Sequence, residues 1–344
     1  MSNKINFPFV SLCTPTFNRR PFIPYAIKCF LHQDYPKECI EWIIVDDGTD
    51  KVEDLFIDMP GVKYFFSEDK MLLGKKRNFM HSKCSGDIII YMDDDDYYPP
   101  TRISHAVQTL LNNPEYLIAG SSEMHIYFES LKSVYQCGPY KQNHSTAATF
   151  AFRKELLKQT KFEDKDSMSE EFKFLKGYTI PLIQLDPIQT ILVFSHNHNS
   201  LNKEKLLEKP EQFKIKLSSY NVSDFIKEPE LENFYKYNMN NLLEHYEPGR
   251  PENKPIILSD IKKAEEKREQ KLKEIAERQK IIDSLKNIGN ETQKEKISTD
   301  ISQLKKSYEK KLEDKNLLIN ELFKKVRLLT EENNALKNKL QEMT

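Results

Sequence analysis

Asp87-Ile88-Ile89-Ile90-Tyr91-Met92-Asp93-Asp94-Asp95-Asp96-Tyr97-Tyr98-Pro99-Pro100 is the most informative stretch of this chain. The run Ile88 to Met92 has the length and β-branched content of a buried strand. It ends in four consecutive carboxylates, Asp93 to Asp96. Adjacent negative charges at the edge of a core repel one another and raise each other's proton affinity, a repulsion that a cation relieves. In an extended chain Asp93 and Asp95 share one side, and Asp94 and Asp96 the other. Two carboxylates on one side make an open, hard-oxygen site that suits Mn2+ or Mg2+ and leaves positions for phosphate oxygens. The plainer alternative is a solvated acidic loop, as charge blocks commonly are. Placement at the C-terminal end of a buried strand favours a site, because open α/β sheets bind ligands there.

Working outward, the segments around this strand alternate between β and α patterns. Strands are predicted at Phe9 to Thr14, Glu41 to Val45 and Val62 to Phe66, and helices over Phe22 to Leu31, Lys75 to Ser82 and Arg102 to Leu111. Such alternation predicts an α/β fold with a mostly parallel sheet flanked by helices. Beyond residue 115 the pattern loosens into short strand-like runs at Tyr116–Ala119, His125–Phe128, Ala147–Phe152 and Ile191–Phe194. Residues 201–247 look helical and polar. Glu247 to Pro255, with three prolines and a glycine, reads as a linker.

Three strand ends and two later segments carry side chains suited to chemistry. Cys13-Thr14-Pro15-Thr16-Phe17-Asn18-Arg19-Arg20 leaves the first strand without the glycines of a dinucleotide loop, which argues against NAD. Its polar residues suit a nucleotide base and ribose, or an ordinary turn. Asp46-Asp47-Gly48 closes the second strand, where an acidic residue accepts hydrogen bonds from a ribose or a base imide, or simply makes an Asp-Gly turn. Leu73-Gly74-Lys75-Lys76-Arg77-Asn78 opens a helix, and basic residues there suit a diphosphate or a solvated first turn. In Ser167-Met168-Ser169-Glu170-Glu171-Phe172, Ser167 and Glu170 fit a capping box, which leaves Glu171 as the freer carboxylate and the better general base. A helix start lowers a carboxylate's proton affinity, which counts against it. His196-Asn197-His198 offers a ligand to a metal or is polar surface.

The 344 residues carry 52 basic and 53 acidic side chains, so net charge gives no case for nucleic acid or an anionic membrane. No apolar run approaches a transmembrane span, and Met1 to Phe9, with a lone Lys4 and no apolar run, does not read as a secretory signal. The five cysteines lack C-x-x-C spacing and read as reduced thiols of a cytoplasmic protein. Near the end, Leu312, Ile319, Val326, Asn333 and Leu340 occupy position a of a heptad, with Tyr308, Lys315, Leu322, Leu329, Leu336 and Met343 at d. β-Branched residues or Asn at a, with Leu at d, predict a parallel two-stranded coiled coil over about 305–343, hence a homodimer. The alternative is an amphipathic helix packed on its own domain.

Taken together, Thr14 to Arg19, Ile43 to Gly48, Gly74 to Asn78, Tyr91 to Asp96 and Ser169 to Phe172 resemble family 2 glycosyltransferases of the GT-A fold, over roughly residues 8–200. The resemblance implies a GT-A domain at 1–200; outside the family pattern, composition and the heptad predict a helical extension and linker at 201–255 and a helical region with coiled coil at 256–344. It implies an inverting, Mn2+- or Mg2+-dependent transfer from a nucleotide-sugar donor, usually a UDP-sugar, to a hydroxyl of a glycan, protein or lipid. In that reading Asp93-x-Asp95 holds the metal with His196 or His198 as a further ligand. Thr14, Pro15, Thr16, Asn18, Arg19, Asp46, Asp47, Lys76, Arg77, Asn78 and Asp94 form the donor site. Glu171, or else Glu170, is the base, with Glu standing where the family has Asp. Two other readings compete: a catalytically inactive GT-A-like scaffold dimerised by its coil, and a sugar nucleotidyltransferase. The latter usually has a Gly-rich loop after the first strand, which Cys13 to Arg20 lacks.

Overall fold

The computed structural model describes residues 7–286 and, beyond them, 301–302, 304–310, 313–315, 317, 321–322, 324–325 and 329. Strands β1 (Val10–Thr16), β2 (Ile40–Asp46), β3 (Val62–Phe66) and β4 (Ile88–Tyr91) form a parallel set in the order β3-β2-β1-β4. β1, β2 and β4 are buried on both faces, apart from a half-buried Pro15 in β1. Buried parallel strands read as unbroken apolar runs, which is why the sequence locates them. Side chains alternate between two cores. Leu12, Trp42, Ile44 and Ile90 enter one, and Cys13, Ile43, Val45, Ile89 and Tyr91 the other. Helices α1 (Ile23–Leu31), α2 (Leu73–Lys83) and α3 (Arg102–Asn112) connect or follow these strands.

Past α3 the sheet becomes mixed. β5 (Ile118–Gly120), β8 (Ala151–Arg153) and β9 (Ile183–Gln184) extend it to seven strands, with β8 antiparallel to both β4 and β5. A second sheet of four strands, ordered β10-β6-β7-β11, comprises β6 (Met124–Phe128), β7 (Ser133–Cys137), β10 (Leu192–Ser195) and β11 (Ile215–Leu217). α4 (Glu171–Phe174) is a single turn. The segment expected as a helical extension comprises the short helices α5 (Pro210–Phe213) and α6 (Val222–Phe225) and then a continuous helical run, α7 (Pro229–Asn233) joined to α8 (Met239–Glu244) by a π-helical turn at Phe234–Asn238, followed by α9 (Pro255–Lys286).

Residues 201–255 lie inside the first compact unit, which runs Met1–Glu265. Phe225, Leu231, Phe234, Tyr235, Met239 and Leu243 are buried in the first core. Tyr25 and Phe234 stack with ring centroids 3.3 Å apart. α6 buries Val222 and Phe225, and the continuous run from α7 to α8 buries Leu231, Phe234, Tyr235, Met239 and Leu243 at helical spacing, which ties the segment to the sheet. The second unit, Glu266–Thr344, is helical at its described positions. All the a positions of the heptad, and Leu336 and Met343 at d, lie outside the described residues. Among the described residues no helix is long and apolar enough to cross a membrane.

Candidate active site

The parallel strands β1, β2 and β4 all end at one edge, so the loops after them converge there. Asn18 ties two of these loops together from a left-handed backbone conformation (φ 52°). Its Oδ1 accepts from the backbone N–H of Thr49 (2.7 Å) and of Asp50 (2.9 Å). Gly48 is required beside it, since a Cβ there would lie 2.5 Å from Asn18 Oδ1. Asp46 is spent on its own loop, accepting from Gly48 N–H at 2.8 Å, Val52 N–H at 3.2 Å and the Tyr64 hydroxyl at 2.6 Å. Asp47 accepts from Met71 N–H at 2.7 Å and pairs with Lys76. Lys76 also donates to Thr16 O at 2.8 Å. Thr14, on β1, bonds to Met92 O and to the Trp42 indole, deep in the sheet.

The acidic run bends instead of continuing the strand. Strict alternation of the four carboxylates therefore fails: Asp93, Asp94 and Asp95 all line one cleft of about 330 Å3. Asp96 points elsewhere and accepts from Phe194 N–H at 3.0 Å, anchoring β10. Asp93 Oδ1 and Asp94 Oδ2 are buried with no hydrogen-bond donor. Burial, and then the neighbouring carboxylates, lift Asp93 to about 6 and Asp94 to about 7. Asp95 is the exception. Burial opposes its charge too, but the hydrogen bond from His196 and the charge of Arg19 hold it below the usual carboxylate range. Arg19 Nη2 lies 3.4 Å from Asp95 Oδ2, and Nε 3.8 Å from Asp94 Oδ1.

His196 braces this run. The backbone N–H of His198 meets its Nδ1 at 3.2 Å, while its Nε2 lies 3.2 Å from Asp95 Oδ2 and 2.7 Å from Asn199 Nδ2. Burial holds His196 neutral, at about 3. His198 does not line the cleft. Its carbonyl accepts from Arg19, and its ring stacks on Tyr246.

On the facing wall, Arg77 Nε donates to Glu170 Oε1 at 2.8 Å in a buried pair, and its Nη1 has no partner. Asn78, expected in the donor site, instead straps residues 162–164, bonding to Phe162 and Asp164. The expected capping box is absent. Glu170 itself occupies the N-cap of α4 without a side-chain cap, and Ser167 Oγ donates to Asp260. Glu170 lines the cleft. Glu171, the next residue, is half-buried outside the cleft lining, and burial followed by the Glu170 charge lifts its carboxyl to about 7.

The segment expected as a linker closes this edge. Asn18 Nδ2 donates to Pro248 O at 2.8 Å and Arg19 Nη1 to Gly249 O at 3.3 Å. A Cβ at Gly249 would come within 2.7 Å of His198 Nδ1 and 2.8 Å of Asn18 O, so only glycine permits the approach. Lys254, Ile257 and Ile261 then complete the cleft lining, as do Lys70 and Ser200. Sequence patterns missed all five. None belongs to a local motif, because the chain brings them in from other elements.

Among the described residues no group of three His, Cys, Asp or Glu side chains is gathered to hold an ion unaided. The donor-less oxygens of Asp93 and Asp94 nevertheless fit a hard dication whose other positions are filled by phosphate and water.

The chain is similar to known proteins. The chain is 29% identical over 114 residues to an uncharacterized glycosyltransferase of Haemophilus influenzae, covering 32% of this chain and 45% of that one. It is 32% identical over 111 residues to the GalNAc(5)-diNAcBac-PP-undecaprenol beta-1,3-glucosyltransferase of Campylobacter jejuni, covering 30% and 34%. The matched parts thus span less than half of either curated relative. Among solved structures, a mannosyltransferase of Pyrobaculum calidifontis in complex with GDP-Man and Mn2+ aligns with a TM-score of 0.46 at 16% identity, over 71% of this chain and 74% of that one. Residues 11–165, from β1 through the acidic run and β8, match the family described as Glycosyl transferase family 2.

Proposed function

We propose that this chain is an inverting glycosyltransferase that moves a sugar from a nucleoside diphosphate donor, a UDP-sugar, to an acceptor hydroxyl. The observation that carries this reading is the pair of buried, donor-less oxygens of Asp93 and Asp94 at the C-terminal end of β4. The family match over residues 11–165 supports it. A bound Mn2+ or Mg2+, held by Asp93, Asp94 or Asp95, would neutralise charge on the departing diphosphate.

The residues of the chain supply the rest. Arg19 and His196 fix the direction of Asp95, and Arg77 balances Glu170 on the opposite wall. Asp47, though buried and engaged by Lys76 and Met71 N–H, is the acidic residue at the end of β2 that this reading assigns to the nucleoside base. Glu171, whose carboxyl is lifted to about 7, or else its neighbour Glu170, which lines the cleft, accepts the proton of the attacking hydroxyl. Attack on the face opposite the leaving group passes through an oxocarbenium-like state and inverts the anomeric centre.

The test is release of nucleoside diphosphate from a panel of nucleotide sugars with Mn2+, with Mg2+ and with EDTA. Metal-dependent release of UDP is expected. Turnover undiminished in EDTA sinks the metal assignment, and failure to bind or hydrolyse any donor sinks the enzyme reading.

A further inference from the structure

Five cationic side chains line the cleft: Arg19, Lys70, Lys76, Arg77 and Lys254. Four have carboxylate partners. Arg19 faces Asp94 and Asp95, Lys70 and Lys76 face Asp47, and Arg77 faces Glu170. Lys254 is different. It is 7% exposed, its Nζ donates to Ser200 Oγ at 3.2 Å, and it lies 5.5 Å from the centroid of the Phe17 ring. No carboxylate among the described residues is within salt-bridge distance of it. An ammonium has three donors, and burying one against a hydroxyl and a ring face leaves its charge poorly compensated.

Its setting says what the missing partner is. Lys254 ends a strap that Asn18 and Arg19 hold by the carbonyls of Pro248 and Gly249, and α9 starts at the next residue. Arg77, whose buried Nη1 has no partner, lines the same cleft. Two incompletely used cations in a cleft of about 330 Å3, beside carboxylates that fit a dication, suit an anion carrying several oxygens and more than one charge.

We infer that Lys254 is a donor-binding residue that contacts the diphosphate, so that segment 247–261, which follows the family-matched residues, is a wall of the donor site. This rests on the donor reading above. It goes further in assigning a diphosphate contact to a residue no motif marks. A nucleoside without phosphates has no use for this ammonium, whereas a nucleoside diphosphate does.

The experiment compares the full chain with its Lys254→Met and Lys254→Arg variants. UDP and GDP binding is measured by calorimetry with Mn2+, uridine and guanosine binding by ligand-observed NMR, and folding by thermal melts. For the diphosphate that the wild type binds, Lys254→Met is expected to raise Kd roughly 10- to 100-fold, the usual weight of a charge-assisted contact. The matching nucleoside should bind as before, and Lys254→Arg should recover most of the loss. Unchanged diphosphate affinity in Lys254→Met overturns the inference and leaves the donor reading standing. So does an equal loss for nucleoside and diphosphate, which marks a collapsed wall instead of a lost contact. A wild type that binds neither UDP nor GDP overturns both.

Discussion

Replacing Asp94 by Asn is expected to make the metal-free protein more stable and less active. Asp94 is 5% exposed and its Oδ2 has no donor. Burial, and then repulsion from Asp95, raise its carboxyl from 3.8 to about 7. The folded chain therefore holds this proton more tightly than the unfolded chain does. The associated stability is present below about pH 4 and is lost as pH rises toward 7. Each tenfold change in proton affinity is worth about 1.4 kcal/mol, so ionised Asp94 costs on the order of 4 kcal/mol at about pH 8. Asn carries no charge and escapes this cost. The attraction of Arg19, 3.8 Å from Asp94 Oδ1, already lowers that proton affinity and is included in the figure, so the net gain is at most about 4 kcal/mol. At roughly 2–4 °C per kcal/mol, Tm should rise by at most about 8–16 °C near pH 8 in EDTA, and the gain should shrink toward zero near pH 4. Scanning calorimetry across this range measures it. Mn2+ should then stabilise the wild type more than the variant, because a dication compensates the charge that Asn lacks. A variant less stable than the wild type at pH 8, or a gain that does not depend on pH, would refute the reasoning.

The remaining expectations follow from the same geometry. With Glu171 lifted to about 7, kcat/KM should rise with pH through about 7 and then level off, while Glu171→Gln should cut kcat by on the order of 10²-fold with donor Kd unchanged. A flat profile in the wild type would remove Glu171 from that role. Glu170→Gln strands Arg77 in a buried site, and should lower stability by about 3–5 kcal/mol in chemical denaturation. A loss under 1 kcal/mol, roughly the value of a surface pair, would contradict that burial. For the tail, sedimentation equilibrium should find the full chain dimeric and a chain ending at Lys286 monomeric. Asn333→Val should broaden the choice of strand number. A monomeric full chain would leave the heptad as a helix without a second copy.

The parallel half of the fold was legible because β1, β2 and β4 are buried on both faces and end in polar turn residues, so local composition is enough to find them. The second sheet was less so. Its strands are three to five residues long and come from four separated segments, too short to show a period. In the site, Asp93, Asp94, Asp95, Arg19, Arg77 and Glu170 do converge. Asn78 and Thr14 were drawn in by proximity in sequence, but their polar groups serve the backbone of neighbouring elements. The alternation expected for the acidic run failed because the chain bends there. Pro248, Gly249 and Pro251 suggested a linker because proline and glycine mark both flexible spacers and tight buried crossings. Only the contacts of Gly249 with His198 and Asn18 separate the two.

The clasp between Asn18 and Pro248 spans 230 residues of chain. A contact of that sequence separation forms late, since the ends of a long loop must meet before anything is gained from their meeting. A ribosome that has finished residue 200 has made every recognisable motif of the cleft, yet it cannot have assembled the cleft. Until the strap emerges, Arg19 lacks the Gly249 carbonyl and the Phe17 face stands open. The nascent protein therefore passes through a stage at which its sheet can be built while the cleft is still missing a wall. On the proposed donor reading, nucleotide capture is delayed until synthesis has passed Lys254.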